Sequence, residues 1–162
     1  MLVAAVGTFL HGFDELVLAA ERSCACLDLP GFAQIGHGRA TPQAIGWQRF
    51  LPQADLSARF RAARVVVCHA GMGIVGEAMR AGAPIVLFPR KGATRAGHPA
   101  NDQTAFARRI ALRHGLGLCE DGALLPAILA RVLRGPARRD YELASDVPAI
   151  LADWLSRPGH RR

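Results

Sequence analysis

Val65-Val66-Val67-Cys68-His69-Ala70-Gly71-Met72-Gly73-Ile74-Val75-Gly76-Glu77-Ala78 decides the fold. Four apolar residues in a row, three of them β-branched, predict a strand buried on both faces. The Gly-Met-Gly turn ends it, and Ile74 to Ala81 then reads as a helix stopped by Gly82 and Pro84. Strand, glycine turn and helix in that order make one unit of an α/β fold.

Neighbouring segments repeat the unit. Leu2 to Val6 is a short apolar strand ended by Gly7-Thr8. A helix follows, with Phe13, Leu16, Val17 and Ala20 at helical spacing and Asp14 and Glu15 in its first turn. Phe32 to Gly36 and Trp47 to Leu51 read as further strands, and Ala54 to Ala63 as a helix. Ile85 to Phe88 is another apolar strand, followed by a polar basic loop from Arg90 to Gly97. A long helix is expected over His98 to His114 and a last strand over Gly115 to Cys119. Helices over Leu124 to Leu133 and Val147 to Leu155 follow, then the basic residues 157–162. Apolar strands alternating with helices predict a doubly wound, Rossmann-like parallel sheet in one domain spanning residues 1–162. Ligands of such sheets bind beyond the C-terminal strand ends. The loops after Val6, Cys68 and Phe88 therefore carry the chemistry.

Composition bounds the function. The chain has 162 residues, 51% hydrophobic and 20% charged, which excludes a disordered segment. No apolar run approaches the roughly 18 residues of a membrane span. Met1 to Gly7 lacks the positive start of a secretory signal, so a cytoplasmic chain is expected. The four cysteines, Cys24, Cys26, Cys68 and Cys119, lack zinc-ligand spacing and are expected to be reduced and mostly buried; no metal is expected. The net charge is +7, and Lys91 is the only lysine. Arginine suits bidentate contact with phosphate or carboxylate, so the charge permits a nucleic acid, an anionic membrane or an anionic substrate. Aromatic residues make up 6% of the chain and do not interleave with the basic ones, which argues against a stacking nucleic-acid binder.

Each loop has a bland and a chemical reading. Gly71, Met72 and Gly73 open a helix whose N–H groups can face an anion, or they simply make a tight turn. Glu77, one helical turn further on, is placed to accept hydrogen bonds from ribose hydroxyls, or is an ordinary surface residue. Gly7 and Thr8 repeat the pattern after the first strand, and His11 is a weak candidate acid or base. Asn101, Asp102 and Gln103 are either helix caps or a set of groups for reading sugar hydroxyls. Arg90, Lys91 and Arg95 either add positive charge to an anion site or belong to a solvated loop.

In combination, His69-Ala70-Gly71-x-Gly73 with Glu77, Pro84 to Pro89, and Asp102-Gln103 resemble the C-terminal half of family 28 glycosyltransferases. Val6-Gly7-Thr8, Phe13-Asp14, Leu16-Val17, Gln34-Ile35-Gly36, Trp47 to Leu51 and Phe88-Pro89-Arg90 with His98 resemble a subset more closely. In that subset the donor-binding half is a free-standing chain, as in chitobiosyl-dolichol and bacterial exopolysaccharide transferases. The resemblance runs from about Val3 to Leu118. It implies the C-terminal half of a GT-B glycosyltransferase, holding a UDP-sugar without a cofactor or metal and inverting the anomeric centre. It implies that the backbone of residues 71–73 and His69 face the diphosphate, that Gly7 and Thr8 lie at the cleft near the phosphate or the acceptor, and that Glu77 faces the ribose and Asn101, Asp102 and Gln103 the sugar. It implies a lipid-linked acceptor and a membrane-anchored partner chain that holds this one at the inner face of the membrane. Met72 stands where relatives often carry Ser or Thr, and the sugar-reading triplet is Asn-Asp-Gln rather than acidic-His-Gln. A nucleotide-binding regulatory module without transferase activity is the alternative.

Overall fold

The computed structural model describes residues 1–92, 101–142 and 147–156, and within them 148 and 155 in backbone only. The elements are β1 (Leu2–Ala5), α1 (Asp14–Cys26), β2 (Gly31–Gln34), β3 (Gly46–Gln48), α2 (Gln53–Ala62), β4 (Val65–Cys68), α3 (Met72–Arg80) and β5 (Ile85–Leu87). They continue with α4 (Thr104–His114), β6 (Gly117–Leu118), a 3-10 turn (Gly122–Leu124), α5 (Leu125–Leu133) and α6 (Val147–Ser156).

The six strands are all parallel, in the order β3-β2-β1-β4-β5-β6. This is the doubly wound sheet expected from the sequence. Alternate residues of the central strands feed two cores. Leu2, Ala4, Val65, Val67 and Val86 pack with Leu16, Val17, Ala20, Leu125 and Leu129 of α1 and α5. Val3, Ala5, Val66, Cys68, Ile85 and Leu87 pack on the opposite face with Phe60, Val75, Ala78, Met79, Ala107 and Ala111 of α2, α3 and α4. Strand order reverses between β1 and β4, so the loops after these two strands lie side by side at the switch point, where doubly wound folds bind ligands.

Two elements differ from the sequence reading. The strand expected over Trp47 to Leu51 is shorter, because its partner β2 leaves the sheet at Gly36, whose φ is +54°. The N–H groups of Ile35 and Gly36 still donate to the carbonyls of Gln48 and Arg49, after which Pro52 opens α2. The helix expected from His98 starts only at Thr104. Gln103 N–H donates to Arg90 O, which ties that residue to the end of β5, and Asp102 Oδ1 takes the Thr104 N–H at the helix start. Residues 98–100 lie outside the described residues. Of the cysteines, Cys24, Cys68 and Cys119 are buried and Cys26 is exposed. Among the described residues no helix is long and apolar enough to cross a membrane.

Candidate functional site

The first wall of the site is the turn after β1. Gly7 has φ +71°, a conformation that only glycine adopts without strain. The turn is held from beneath by Gln34, which is buried at the end of β2. Its Oε1 accepts the Gly7 N–H at 3.0 Å, and its Nε2 donates to Gly7 O at 3.1 Å and Arg49 O at 2.8 Å. One carboxamide thus satisfies both backbone groups of Gly7 and joins β2, β3 and the β1 turn.

The second wall is the turn from β4 into α3. His69 packs between the two glycine turns. A Cβ on Gly7 would lie 2.6 Å from His69 Cε1, and one on Gly71 would lie 2.3 Å from His69 Nε2. Both glycines are therefore required by the histidine ring. At Gly73 an added Cβ would meet nothing within 4 Å, so packing alone does not require that glycine. Met72, Gly73 and Ile74 begin α3, where backbone N–H groups have no acceptor within the helix. Burial, with the nearby charge of Arg90, lowers the His69 pKa from 6.5 to about 4, so the ring is neutral at pH 7. Its Nδ1 is buried without a hydrogen-bond partner.

Glu77 stands one turn further along α3. Ser57 Oγ of α2 hydrogen-bonds its Oε1, and Arg80 Nη2 donates to Oε2 at 2.7 Å. The Ser57 bond first, then Arg80, hold its pKa below the usual carboxylate value. A cavity of about 390 Å³ runs between these walls, lined by Gly7, Thr8, Gln34, Phe50, Leu51, Gln53, Leu56, His69, Gly71, Gly73, Ile74 and Glu77. That volume suits a small organic ligand.

The structure thus brings together Gly7, Thr8, His69, Gly71, Gly73 and Glu77 from the sequence-derived set. Met72 shares the α3 terminus, but its side chain is exposed and does not line the cavity. Gln34, Phe50, Leu51, Gln53, Leu56 and Ser57 were not assigned to the site from sequence. Gln34, Phe50 and Leu51 fall within stretches that carry the resemblance, without a site role, and Gln53, Leu56 and Ser57 carry no motif.

The third loop is organised differently. Asp102 caps the start of α4, and that bond lowers its pKa. Gln103 Oε1 accepts the Arg90 N–H at 3.2 Å. Asn101, Asp102 and Gln103 do not line the cavity. Arg90 departs from the solvated loop considered above. It is 5% exposed, donates to Gly12 O at 2.6 Å and Val6 O at 2.7 Å, and lies over the rings of Phe9 and Phe13. Burial lowers its pKa to about 10, which leaves it cationic at neutral pH. Its guanidinium fastens the loop after β1 to the end of β5. Lys91 is exposed, and Arg95 and His98 lie outside the described residues. His11 is exposed, with its ring edge-on to Phe9 at 5.2 Å. Among the described residues no three His, Cys, Asp or Glu are grouped to hold a metal.

The model of the glycosyltransferase family 28 C-terminal domain matches residues 10–144. A UDP-N-acetylglucosamine--N-acetylmuramyl-(pentapeptide) pyrophosphoryl-undecaprenol N-acetylglucosamine transferase of Rhizobium rhizogenes is 28% identical over 120 residues, covering 67% of this chain and 31% of that protein. The structure of Acinetobacter baumannii MurG superposes with a TM-score of 0.62 at 19% identity, over 94% of this chain and 48% of that one. The glycotransferase of kitacinnamycin superposes with a TM-score of 0.60 at 25% identity, over 85% of this chain and 36% of that one. The chain spans between about a third and a half of the length of these relatives.

Proposed function

The chain belongs to glycosyltransferase family 28, as its C-terminal domain, and from that premise we propose that it is the donor-binding half of an inverting, UDP-sugar-dependent transferase. The observation that carries this reading is the cavity at the strand switch point, with the α3 N-terminus at one end and Glu77 at the other. The N–H groups of Met72 and Gly73 face the diphosphate, where the helix terminus stabilises negative charge, whereas the Gly71 N–H, expected from the sequence to join them, donates to His69 O at 2.9 Å. Glu77, ionised and oriented by Ser57, accepts hydrogen bonds from the ribose hydroxyls. Asn101, Asp102 and Gln103, at the same end of the sheet, take the sugar hydroxyls.

In the transfer, an acceptor hydroxyl oxygen attacks the anomeric carbon from the face opposite the diphosphate. The bond from that carbon to the diphosphate oxygen breaks, and UDP leaves with the electron pair. Fixed donors at the α3 terminus stabilise the leaving group without a metal. The hydroxyl proton passes to a base on the other half of the enzyme, which a separate membrane-anchored chain supplies. The acceptor is lipid-linked, as in polysaccharide assembly at the cytoplasmic membrane face. The Rhizobium rhizogenes relative is named for a pyrophosphoryl-undecaprenol substrate, which supports a lipid-linked acceptor.

Calorimetric titration tests the donor site. Glu77→Ala is expected to weaken UDP binding at least tenfold, about 1.4 kcal/mol. Gln103→Ala is expected to weaken the UDP-sugar far more than UDP, and equal losses would sink the sugar-reading role. Full sugar transfer by the purified chain alone would refute the need for a partner chain.

A further inference from the structure

We propose that this chain has its own docking face for an anionic lipid bilayer, formed by the arginines at the N-terminal end of the sheet together with α6. The inference rests on surface charge and the exposure of α6, and is independent of the donor-site reading.

The link after α5 crosses the N-terminal strand ends. Arg138 donates to Arg61 O ahead of β4. Arg139 N–H donates to Gly82 O, and Tyr141 Oη to Ala83 O at 2.8 Å, both ahead of β5. Arg139 Nη1 reaches Gly115 O ahead of β6. These bonds fix the link against the body. They leave Arg61, Arg64, Arg131, Arg134 and Arg138 exposed on one end of the domain. Arg64 and Arg138 line one hollow there, and Arg131 and Arg139 line another. None of these arginines is in an ion pair among the described residues. The acids of the link, Asp140 and Glu142, share a separate hollow with Arg113 and His114.

Val147 is six positions past Tyr141, so covalent geometry keeps the start of α6 within about 20 Å of that anchor. Along α6, Val147, Ile150, Leu151 and Trp154 recur at helical spacing on one side. All four are between 48% and 57% exposed. Arg157, Arg161 and Arg162 follow directly in the sequence. An apolar helix face carrying a tryptophan, close in sequence to arginines, matches the interfacial layer of a membrane. Five arginines spread across several strand ends match a laterally continuous negative surface better than a groove. This face lies at the opposite end of the strands from the donor cavity, so lipid and donor bind independently.

The test uses the full chain with Trp47→Phe, which leaves Trp154 as its only tryptophan. Vesicles of phosphatidylcholine alone are compared with vesicles containing phosphatidylglycerol. The expected result is a blue shift of Trp154 emission and co-sedimentation with the anionic vesicles only, weakening as salt rises. Replacing Arg64, Arg131 and Arg134 by Gln is expected to weaken binding about fivefold per charge, roughly a hundredfold together at low salt. Ile150→Ser with Leu151→Ser is expected to abolish the emission shift. Unchanged urea midpoints exclude misfolding in these variants, and unchanged UDP affinity separates this face from the donor site. Three results would overturn the proposal: equal binding to both vesicle types, undiminished binding by the arginine variant, or retention by a protein partner with none on anionic vesicles.

Discussion

Gln34→Leu isolates the single side chain that shapes the turn after β1. Leucine has similar volume but neither donates nor accepts. The substitution removes three hydrogen bonds, two to Gly7 and one to Arg49, none longer than 3.1 Å. At about 1 kcal/mol each this amounts to about 3 kcal/mol. The more apolar side chain in a buried position recovers about 1 kcal/mol. The net expected loss is therefore about 2 kcal/mol, which for a chain of this size lowers Tm by roughly 4–8 °C. Urea unfolding should show a lower midpoint at unchanged slope. The second readout is donor binding. Gly7 adopts φ +71° with both backbone groups held by this carboxamide, so UDP affinity should fall even at temperatures where the variant is fully folded. A loss of stability below about 0.5 kcal/mol would place the variant among ordinary surface changes and refute the clamp. Full stability loss with undiminished UDP affinity would refute the link from clamp to site.

Acid titration tests His69. Its folded pKa of about 4 lies below the ordinary 6.5, so the unfolded chain binds the proton first; the contribution is complete above about pH 6.5 and is lost as pH falls toward 4. The loss approaches about 3 kcal/mol, and urea midpoints against pH should be correspondingly flatter in His69→Gln; identical slopes would refute it. Gly71→Ala places a Cβ 2.3 Å from His69 Nε2 and should destabilise by about 1–3 kcal/mol, with relief in a His69→Ala background. Gly73→Ala meets no protein atom, so it should keep its Tm while weakening UDP binding; unaltered affinity would remove Gly73 from the site. Arg90→Met leaves the carbonyls of Gly12 and Val6 without their donor and should cost about 3 kcal/mol by urea unfolding.

The sheet was legible in the sequence because each central strand is apolar on both faces. Val65 to Cys68 is a run of four apolar residues, three of them β-branched, closed by the turn at Gly71 to Gly73. The glycine turns were legible for a related reason, since Gly7 and Gly71 each immediately follow or nearly follow a strand. What escaped is whatever depends on contacts distant in sequence. Gln34 lies 27 positions from Gly7, and Ser57 lies 20 from Glu77. No periodicity marks either residue. Arg90 is the instructive case. An arginine beside Lys91 and Gly92 reads as a solvated loop, but the rings of Phe9 and Phe13 and two backbone carbonyls more than 75 positions away bury it. The His98 helix start failed because the apolar positions of that helix, Ala105, Phe106, Ile110 and Leu112, do not fix where it begins, whereas the backbone bond from Gln103 to Arg90 O holds the segment before Thr104 to β5.

The buried groups of the site are arranged by charge as well as by shape. Arg90 remains cationic with no acidic partner among the described residues. Its field contributes to keeping His69 neutral, and the α3 terminus adds a partial positive charge beside the same ring. At the other end, Ser57 and Arg80 keep Glu77 ionised. Glu77 lies four residues beyond Gly73, about 6 Å along the helix axis. A ligand that fits this cavity should therefore be anionic at one end and offer hydroxyl donors about one ring further on. Inorganic phosphate meets the first requirement alone and a free nucleoside the second alone. A nucleotide, which carries phosphate and ribose in one molecule, meets both, and this pairing of opposite charges across one helical turn favours a nucleotide over either fragment beyond what the volume of the cavity implies.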